Sequence, residues 1–411
     1  MSRTTHSTQT NPSSRIRTSR AGRVSSASYA SSASRTSSAS RTGGAVLAVA
    51  ALTVALAGCS VTSTQTSSSS RASGSAPAPA SSAAPDPTAY RCTANTAVTL
   101  LTHDSFSLSD DLLAAFTAAT GCKVSLVKSG DAGELTNKLV LTKNSPLGDV
   151  VFGIDNAFAG RAVSAGILAP YRPVLPKGAD GYALPGAGAD LLTPVDFGDV
   201  CVNVDTAWFT SHQVAPPATL EDLLTPAYRG LFVTPGASTS SPGFAFLLAT
   251  IGAKGEGWKD YWKALMANGA KITSGWTDAY EVDFTAGGKG SRPIVLSYAS
   301  SPPFTIPKGG SAPTTAALLD TCFRQVEYAG VLAGAKNPEG AKALVSYLLS
   351  KPVQESIPDA MYMFPVSGEA ALPALWAQWA KVAPKPFTVA PEQINANRDS
   401  WLRDWTDLAA R

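Results

Sequence analysis

The stretch AVTLLTHDSFSLSDDLLAAFTAATGCKVSLVK, residues 97–128, decides the fold class. AVTLLT (97–102) reads as a strand, and KVSLVK (123–128) as the next one. Between them Ser109 stands as an N-cap, Asp110 and Asp111 fall in the first turn, Leu112, Leu113 and Phe116 share one face, and Gly121 stops the helix. The unit is βαβ, and the pattern continues outward: AGELTNKLVLTK (132–143) predicts a helix and DVVFGI (149–154) a third strand. Further strands are expected at 200–204, 231–234, 271–274, 293–298 and 322–328. Helices are expected around 219–224, 243–252, 256–267, 339–350 and 391–408. No repeat of fixed period is visible, which excludes solenoids and propellers. The fold class is α/β with a mainly parallel sheet flanked by helices.

The length of 411 residues allows two or three structural units, and 44% hydrophobic residues suffice for a sizeable core. The net charge of +3 misleads, because residues 1–58 hold seven arginines and no acid. The remainder has 26 basic against 30 acidic residues, a balance that argues against nucleic acid as a partner.

Residues 45–57, AVLAVAALTVALA, form an apolar run too short to span a bilayer but of the right length for a secretory signal. The run closes on LAGC (56–59), which resembles a bacterial lipoprotein signal, with Cys59 as the lipidated residue. Residues 1–58 are then a signal peptide with a basic, Ser-rich leader, and 59–90 a flexible Ser/Ala/Pro tether. Such an anchor places the folded part at the outer face of the cell membrane. Four further cysteines, Cys92, Cys122, Cys201 and Cys322, suggest two disulfides in an exported domain, with three connectivities open.

Familiar enzyme chemistry is missing from the sequence. His103 and His212 stand alone without the spacing of a metal site, and no GxSxG, P-loop or GxGxxG follows a strand. No cofactor and no metal is expected. In a parallel sheet the functional positions are the loops at the carboxyl ends of strands. KSGDAG (128–133), GIDNA (153–157) and SYASSPP (297–303) fall there, and a helix N-terminus offers free N–H groups to a ligand. With Asp104, Asp155, Ser240, Ser241, Trp276, Asp278, Tyr280 and Tyr362, these loops combine aromatic faces, carboxylates and hydroxyls, a pocket for a small organic cation with an aromatic ring. Simpler roles stand beside this one. Asp131 can cap the helix from Ala132, Ser240 and Ser241 can cap the helix near Gly243, Tyr280 can pack, Asp278 can be solvated, and Trp276 divides evenly between core and pocket.

LTHDSF (101–106), GDAGELTNKL (130–139), DVVFGIDN (149–156), STSSPG (238–243), GWTDAY (275–280), VLSYASSP (295–302), MFPV (363–366) and PEQINANRDSWLRDW (391–405) occur in an order and spacing that covers residues 97–411. In these words the chain resembles the thiamine-binding substrate-binding proteins of ABC transporters. The resemblance implies a two-lobed periplasmic-binding-protein fold, each lobe a mainly parallel sheet, joined by crossover strands and closing on its ligand. Lobe 1 is then 91–198 with 326–411, and lobe 2 is 199–325. It also implies a monomer that captures thiamine or its phosphates, delivers them to a permease and catalyses nothing.

By residue match the ligand contacts fall on Asp131, Ala132, Ser240, Ser241, Trp276, Tyr298, Ala299, Ser300 and Ser301, with Tyr362 where the family often has tryptophan. His103 precedes Asp104 where the family commonly has tyrosine. The serine pairs are expected to serve tail oxygens, and the permanent thiazolium charge to make binding vary little with pH until the carboxylates titrate. DFGDVCVNV (196–204) and CFRQVEY (322–328) look like the crossover strands, which implies Cys201 with Cys322, and Cys92 and Cys122 each precede one of the first two strands, expected as neighbours in such a fold, which implies their pairing. Two other functions are open: a thiamine-cleaving enzyme with a cysteine nucleophile on the same scaffold, or capture of ferric iron, a polyamine or a phosphonate.

Overall fold

Ser109 accepts a hydrogen bond from the Leu112 amide, and Gly121 takes a left-handed φ of 77°, so α1 (Asp110–Thr120) begins and ends where the sequence marks it. Beside it β1 (Thr96–Thr102) and β2 (Cys122–Lys128) pair in parallel, with Thr96 opposite Cys122. The computed structural model describes residues 89–93 and 96–410. The leader, Cys59 and nearly all of the tether lie outside the described residues.

The chain continues through α2 (Ala132–Leu141), β3 (Val150–Asp155), α3 (Ala159–Ala165), β4 (Leu168–Ala169), β5 (Thr193–Asp205), α4 (Thr206–His212) and β6 (Phe232–Pro235). Next come α5 (Ser241–Lys254), α6 (Trp258–Ala267), β7 (Lys271–Thr273), β8 (Ile294–Tyr298), β9 (Thr315–Ala317) and β10 (Phe323–Leu332). The end of the chain forms α7 (Pro338–Leu348), α8 (Lys351–Met361), β11 (Phe364–Pro365), α9 (Ala374–Trp379) and α10 (Pro391–Ala409).

The sheet runs β2-β1-β3-β10-β5-β8-β6-β7. At one end β2, β1 and β3 are parallel, and at the other β8, β6 and β7 are parallel. Between these two halves lie β10 and β5, antiparallel to each other and to their neighbours, with Phe323 opposite Val200. The segments at 196–204 and 322–328 therefore run side by side. Disulfides join Cys201 to Cys322 and Cys92 to Cys122. The last helix, α10, packs on both α3 and α6 and so touches both halves.

β5 is buried at every one of its 13 residues although it contains Asp196, Asp199, Asn203 and Asp205. A buried polar group without a partner costs roughly 1–3 kcal/mol, so each of these must be answered locally. Asp199 takes Arg324 and the Ala383 amide, Asn203 donates to the Cys201 and Tyr298 carbonyls, and Asp205 caps α4. Asp196 has no donor in reach other than the carboxyl opposite it on β10, Glu327.

Several short elements lie outside the sequence expectation, among them α3, α4 and α9, and three differences have a clear physical reason. β5 is far longer than 200–204, because its interspersed acids hide it from an apolar-run reading. The expected helix at 219–224 shrinks to a 3-10 turn at Asp222–Leu224, shut in by Pro216, Pro217 and Pro226. α8 lies outside the expected helices and contains two prolines, Pro352 and Pro358. Pro352 sits in the first turn, where its missing N–H is no loss.

Candidate functional site

Asp131 stands just ahead of α2 and caps it by accepting from the Ala132 amide at 2.6 Å. Its carboxylate also accepts from the Ser241 amide at 3.1 Å and the Trp276 amide at 3.0 Å. Those amides belong to the N-terminus of α5 and to the loop after β7, in the other half of the sheet. One carboxylate thus collects three backbone donors from three segments. The helices approach closely: the Glu134 amide donates to the Thr239 carbonyl at 3.0 Å. A β-carbon at Gly133 would lie only 2.6 Å from that same oxygen. Burial raises the Asp131 pKa, an effect that the Trp276 and Ser241 amides and His103 partly offset.

Behind Asp131 lies a chain of polar side chains along the crossover strands. The Tyr298 hydroxyl donates to Gln325 Oε1 at 3.3 Å, and Gln325 Nε2 donates to Glu327 Oε1 at 3.3 Å. Glu327 Oε1 lies 3.4 Å from His103 Nε2, an ion-pair distance without hydrogen-bond alignment. Burial lowers the His103 pKa, but Glu327, then Asp131 and Asp104, outweigh that and raise it. Asp196 is fully buried opposite Glu327, and burial together with that neighbouring charge pushes its pKa well up. Burial and a like charge both disfavour the ionised form of Asp196. Asp155, at the end of β3, accepts from the Ser241 hydroxyl and from the Ala157 and Phe158 amides, yet burial pushes it up to about 7.

The aromatic wall comes from the other half. Trp276 is 7% exposed and Tyr298 8%, with ring centroids 6.3 Å apart. Trp276 Nε1 donates to Ser297 Oγ at 3.0 Å, and Ser297 Oγ lies 2.8 Å from Ser301 Oγ, which fixes the indole plane. On its far side Tyr280 stacks at 4.9 Å and 12°, within a π-helical turn at Asp278–Asp283. Asp278 is exposed.

Two cavities share Ser105, Asp131 and Trp276. The inner one is lined by His103, Ala132, Ser241, Pro242, Tyr298, Glu327, Met361 and Met363 as well. Its free space is about 30 Å³, room for a water or two but not for a ring. The outer one, of about 230 Å³, adds Asp104, Glu134, Ser274, Gly275, Thr277 and Asp278.

Of the residues singled out from the sequence, His103, Asp131, Ala132, Ser241, Trp276 and Tyr298 meet at the inner cavity, and Asp104 lines the outer one. Ser240 caps α5 through the Gly243 amide, Ser300 donates to the Tyr362 carbonyl, and Ser301 holds Ser297. Ala299 packs against the Cys201–Cys322 disulfide. Tyr362 stacks on Phe304 and meets Trp276 edge-on at 5.5 Å, lining neither cavity. The sequence reading did not single out Ser105, Glu327, Met361 or Met363. For Glu327 a signal existed: Gln325 and Glu327 are two apart on a strand whose only other charged residue is Arg324, so both point to one face.

A mixed α/β sheet whose halves are joined by crossover strands, with a polar and aromatic cavity between them, defines an α/β solute-binding protein. The sequence model for bacterial extracellular solute-binding proteins matches residues 111–384, and the chain belongs to that family. It is 28% identical to the thiamine-binding periplasmic protein of Salmonella typhimurium over 324 residues, 77% of this chain and 95% of that protein. It is also 28% identical to the thiamine-binding periplasmic protein of Escherichia coli K12 over 335 residues, 79% and 98%. Among solved structures, a periplasmic thiamin binding protein superposes with a TM-score of 0.68 at 28% identity, covering 78% of this chain and 99% of that one. Iron-bound HitA from Pseudomonas aeruginosa, at 20% identity and a TM-score of 0.56 over 75% and 99%, shares the fold.

Proposed function

We propose that this chain is an extracytoplasmic solute-binding lipoprotein that captures thiamine and delivers it to an ABC transporter permease. In this reading it works as a monomer, held at the outer face of the cell membrane by lipid on Cys59. The observation that carries the reading is the likeness to thiamine-binding periplasmic proteins over nearly their whole length, joined to a cavity of matching chemistry. Trp276 and Tyr298 offer ring faces to the aminopyrimidine, and Asp131 and Glu327 offer negative charge to the thiazolium and the amino group. His103, Ser105, Ala132 and Ser241 complete the wall, while Ser240 and Ser301 act by holding helix and indole in place.

The lobes are 91–198 with 326–411, and 199–325. The free space of about 30 Å³ supports a cycle in which the lobes part by bending at β5 and β10 and then close over the ligand. The binding role is favoured over thiamine cleavage because all four described cysteines are in disulfides and none lines either cavity. A cysteine nucleophile must be a free thiolate. For ferric iron, no cluster of three His, Cys, Asp or Glu able to hold a metal occurs among the described residues. Calorimetry of the full chain with thiamine tests the proposal, with micromolar or tighter binding expected. An absence of heat at that concentration sinks it, and chromatographic detection of thiamine breakdown replaces it with the enzyme.

A further inference from the structure

We infer that the groove where α10 packs on α3 holds a second binding site, one for a phosphate-class oxyanion, built around Arg161 and Arg398. None of its residues lines either cavity of the candidate site described above. The inference goes beyond solute capture and does not depend on which solute the cleft takes.

The site follows from how α10 docks. Gly160 on α3 has no side chain, and a β-carbon there would collide with the Asn395 side chain, so Asn395 fills the space that the glycine leaves. Arg398 comes three residues later on the same face of α10, and Arg161 comes directly after Gly160. Among them lies a cavity of about 290 Å³, at the lower edge of the size usual for small-molecule sites.

Both arginines are short of acceptors. A guanidinium presents a fork of N–H donors and accepts nothing. The Nε atoms of Arg161 and Arg398 are buried without a hydrogen-bond partner. Among the described residues, the one hydrogen bond that either side chain makes runs from Arg398 Nη1 to Asp399 Oδ1 at 2.8 Å. Arg161 Nη1 lies 3.9 Å from that same oxygen, so two cations share one carboxylate, and that carboxylate is 67% exposed. The Arg398 side chain is only 8% exposed. The rings of Phe158 and Phe244 attract its charge at 4.7 and 5.7 Å but leave its N–H groups without oxygen acceptors. Burial and the like charge of Arg161 lower the Arg398 pKa, and Asp399 offsets this in part.

A tetrahedral oxyanion supplies what is missing, because its oxygens accept from guanidinium forks two at a time and its charge balances the second arginine. The Asn395 amide and the Ser164 hydroxyl, both exposed at the cavity, add further donors. Two sources carry the same oxygens: free phosphate in solution and the phosphodiester of a lipid headgroup.

Thermal melts of the full chain in about 20 mM inorganic phosphate, against chloride of equal ionic strength, test the site. A Tm higher by roughly 3 °C is expected, the gain given by a ligand about twentyfold above its Kd. Arg161→Gln removes one fork at a half-buried position and is expected to cut the gain to roughly a third or less. Asn395→Asp puts a competing carboxylate at the cavity and is expected to do the same. Glycerophosphoglycerol, the soluble headgroup of phosphatidylglycerol, is run beside phosphate. A larger gain with this diester supports the site and assigns it to membrane lipid, and a larger gain with inorganic phosphate supports it as a site for the free anion. No gain with either compound overturns the inference, and so does a gain undiminished in Arg161→Gln, which would place the phosphate elsewhere on the chain.

Discussion

The two halves of the sheet touch at two places, and the two contacts are made of different materials. On the cleft side they meet through Asp131, Asp155, Glu327 and His103, a set of ionisable groups withdrawn from water. Where α10 lies across both, the contact is aromatic. The Arg398 guanidinium sits 4.7 Å over Phe158 of one half and 5.7 Å over Phe244 of the other, those two rings meet edge-on at 5.4 Å, and Trp405 meets Trp262 at 5.5 Å. Apolar and cation–π contacts bury area in a way that no solute changes. A cluster of carboxylates is held at a cost and gains from a cation, so the cleft contact answers to the ligand and the α10 contact does not.

The largest effect is expected at Asp131. Hydrogen bonds to a charged group are worth roughly 1.5–3 kcal/mol each, so Asp131→Asn should weaken thiamine binding by about 100-fold in calorimetry. An affinity within threefold of the parent would move the ligand's charge partner elsewhere. Next is Arg398→Met, which keeps the stem and removes the charge over both rings. A loss of about 2 kcal/mol, read as a Tm lower by roughly 3 °C, is expected with affinity changed less than threefold. An unchanged Tm with collapsed affinity would erase the distinction between the two contacts.

The smallest effect is pH. The pKa values of His103, Asp131, Asp155 and Asp196 are all raised, so the folded protein holds extra protons between about pH 4 and neutrality. Stability without ligand should therefore fall as pH rises from 5 to 8. Thiamine affinity should rise over the same range by about three- to tenfold, since His103 loses its charge while the acids gain theirs. Paired thermal melts and calorimetry at pH 5.5 and 8 read both trends, and affinity that falls with rising pH would contradict this account. The permanent thiazolium charge suggested little pH dependence until the carboxylates titrate, and burial carries one of them, Asp155, up to about 7.

Local features were legible in the sequence. Ser109 and Gly121 delimit α1 because caps act within four residues, whereas Trp276 divided evenly between core and pocket until its match to the family words favoured the pocket. Asp131 was legible as a helix cap, which it is. Its other two donors lie 110 and 145 residues away, and no local pattern encodes such an encounter. Ser300 and Tyr362 show the converse: they match the family words, but a single hydroxyl–carbonyl bond and a φ of +64° at Tyr362 turn them to each other and to Phe304. Glu327 was missed because β10 reads as core, and burial is what gives that carboxylate its strength.

Gly133 marks how far the jaws can travel. With no side chain, α2 comes to rest with its backbone against the Thr239 carbonyl, and Asp131 reaches both partners only at that separation. One methyl at this position would act as a doorstop. In the proposed cycle, the gap between an ajar and a shut binding protein is set here by an atom group the chain leaves out.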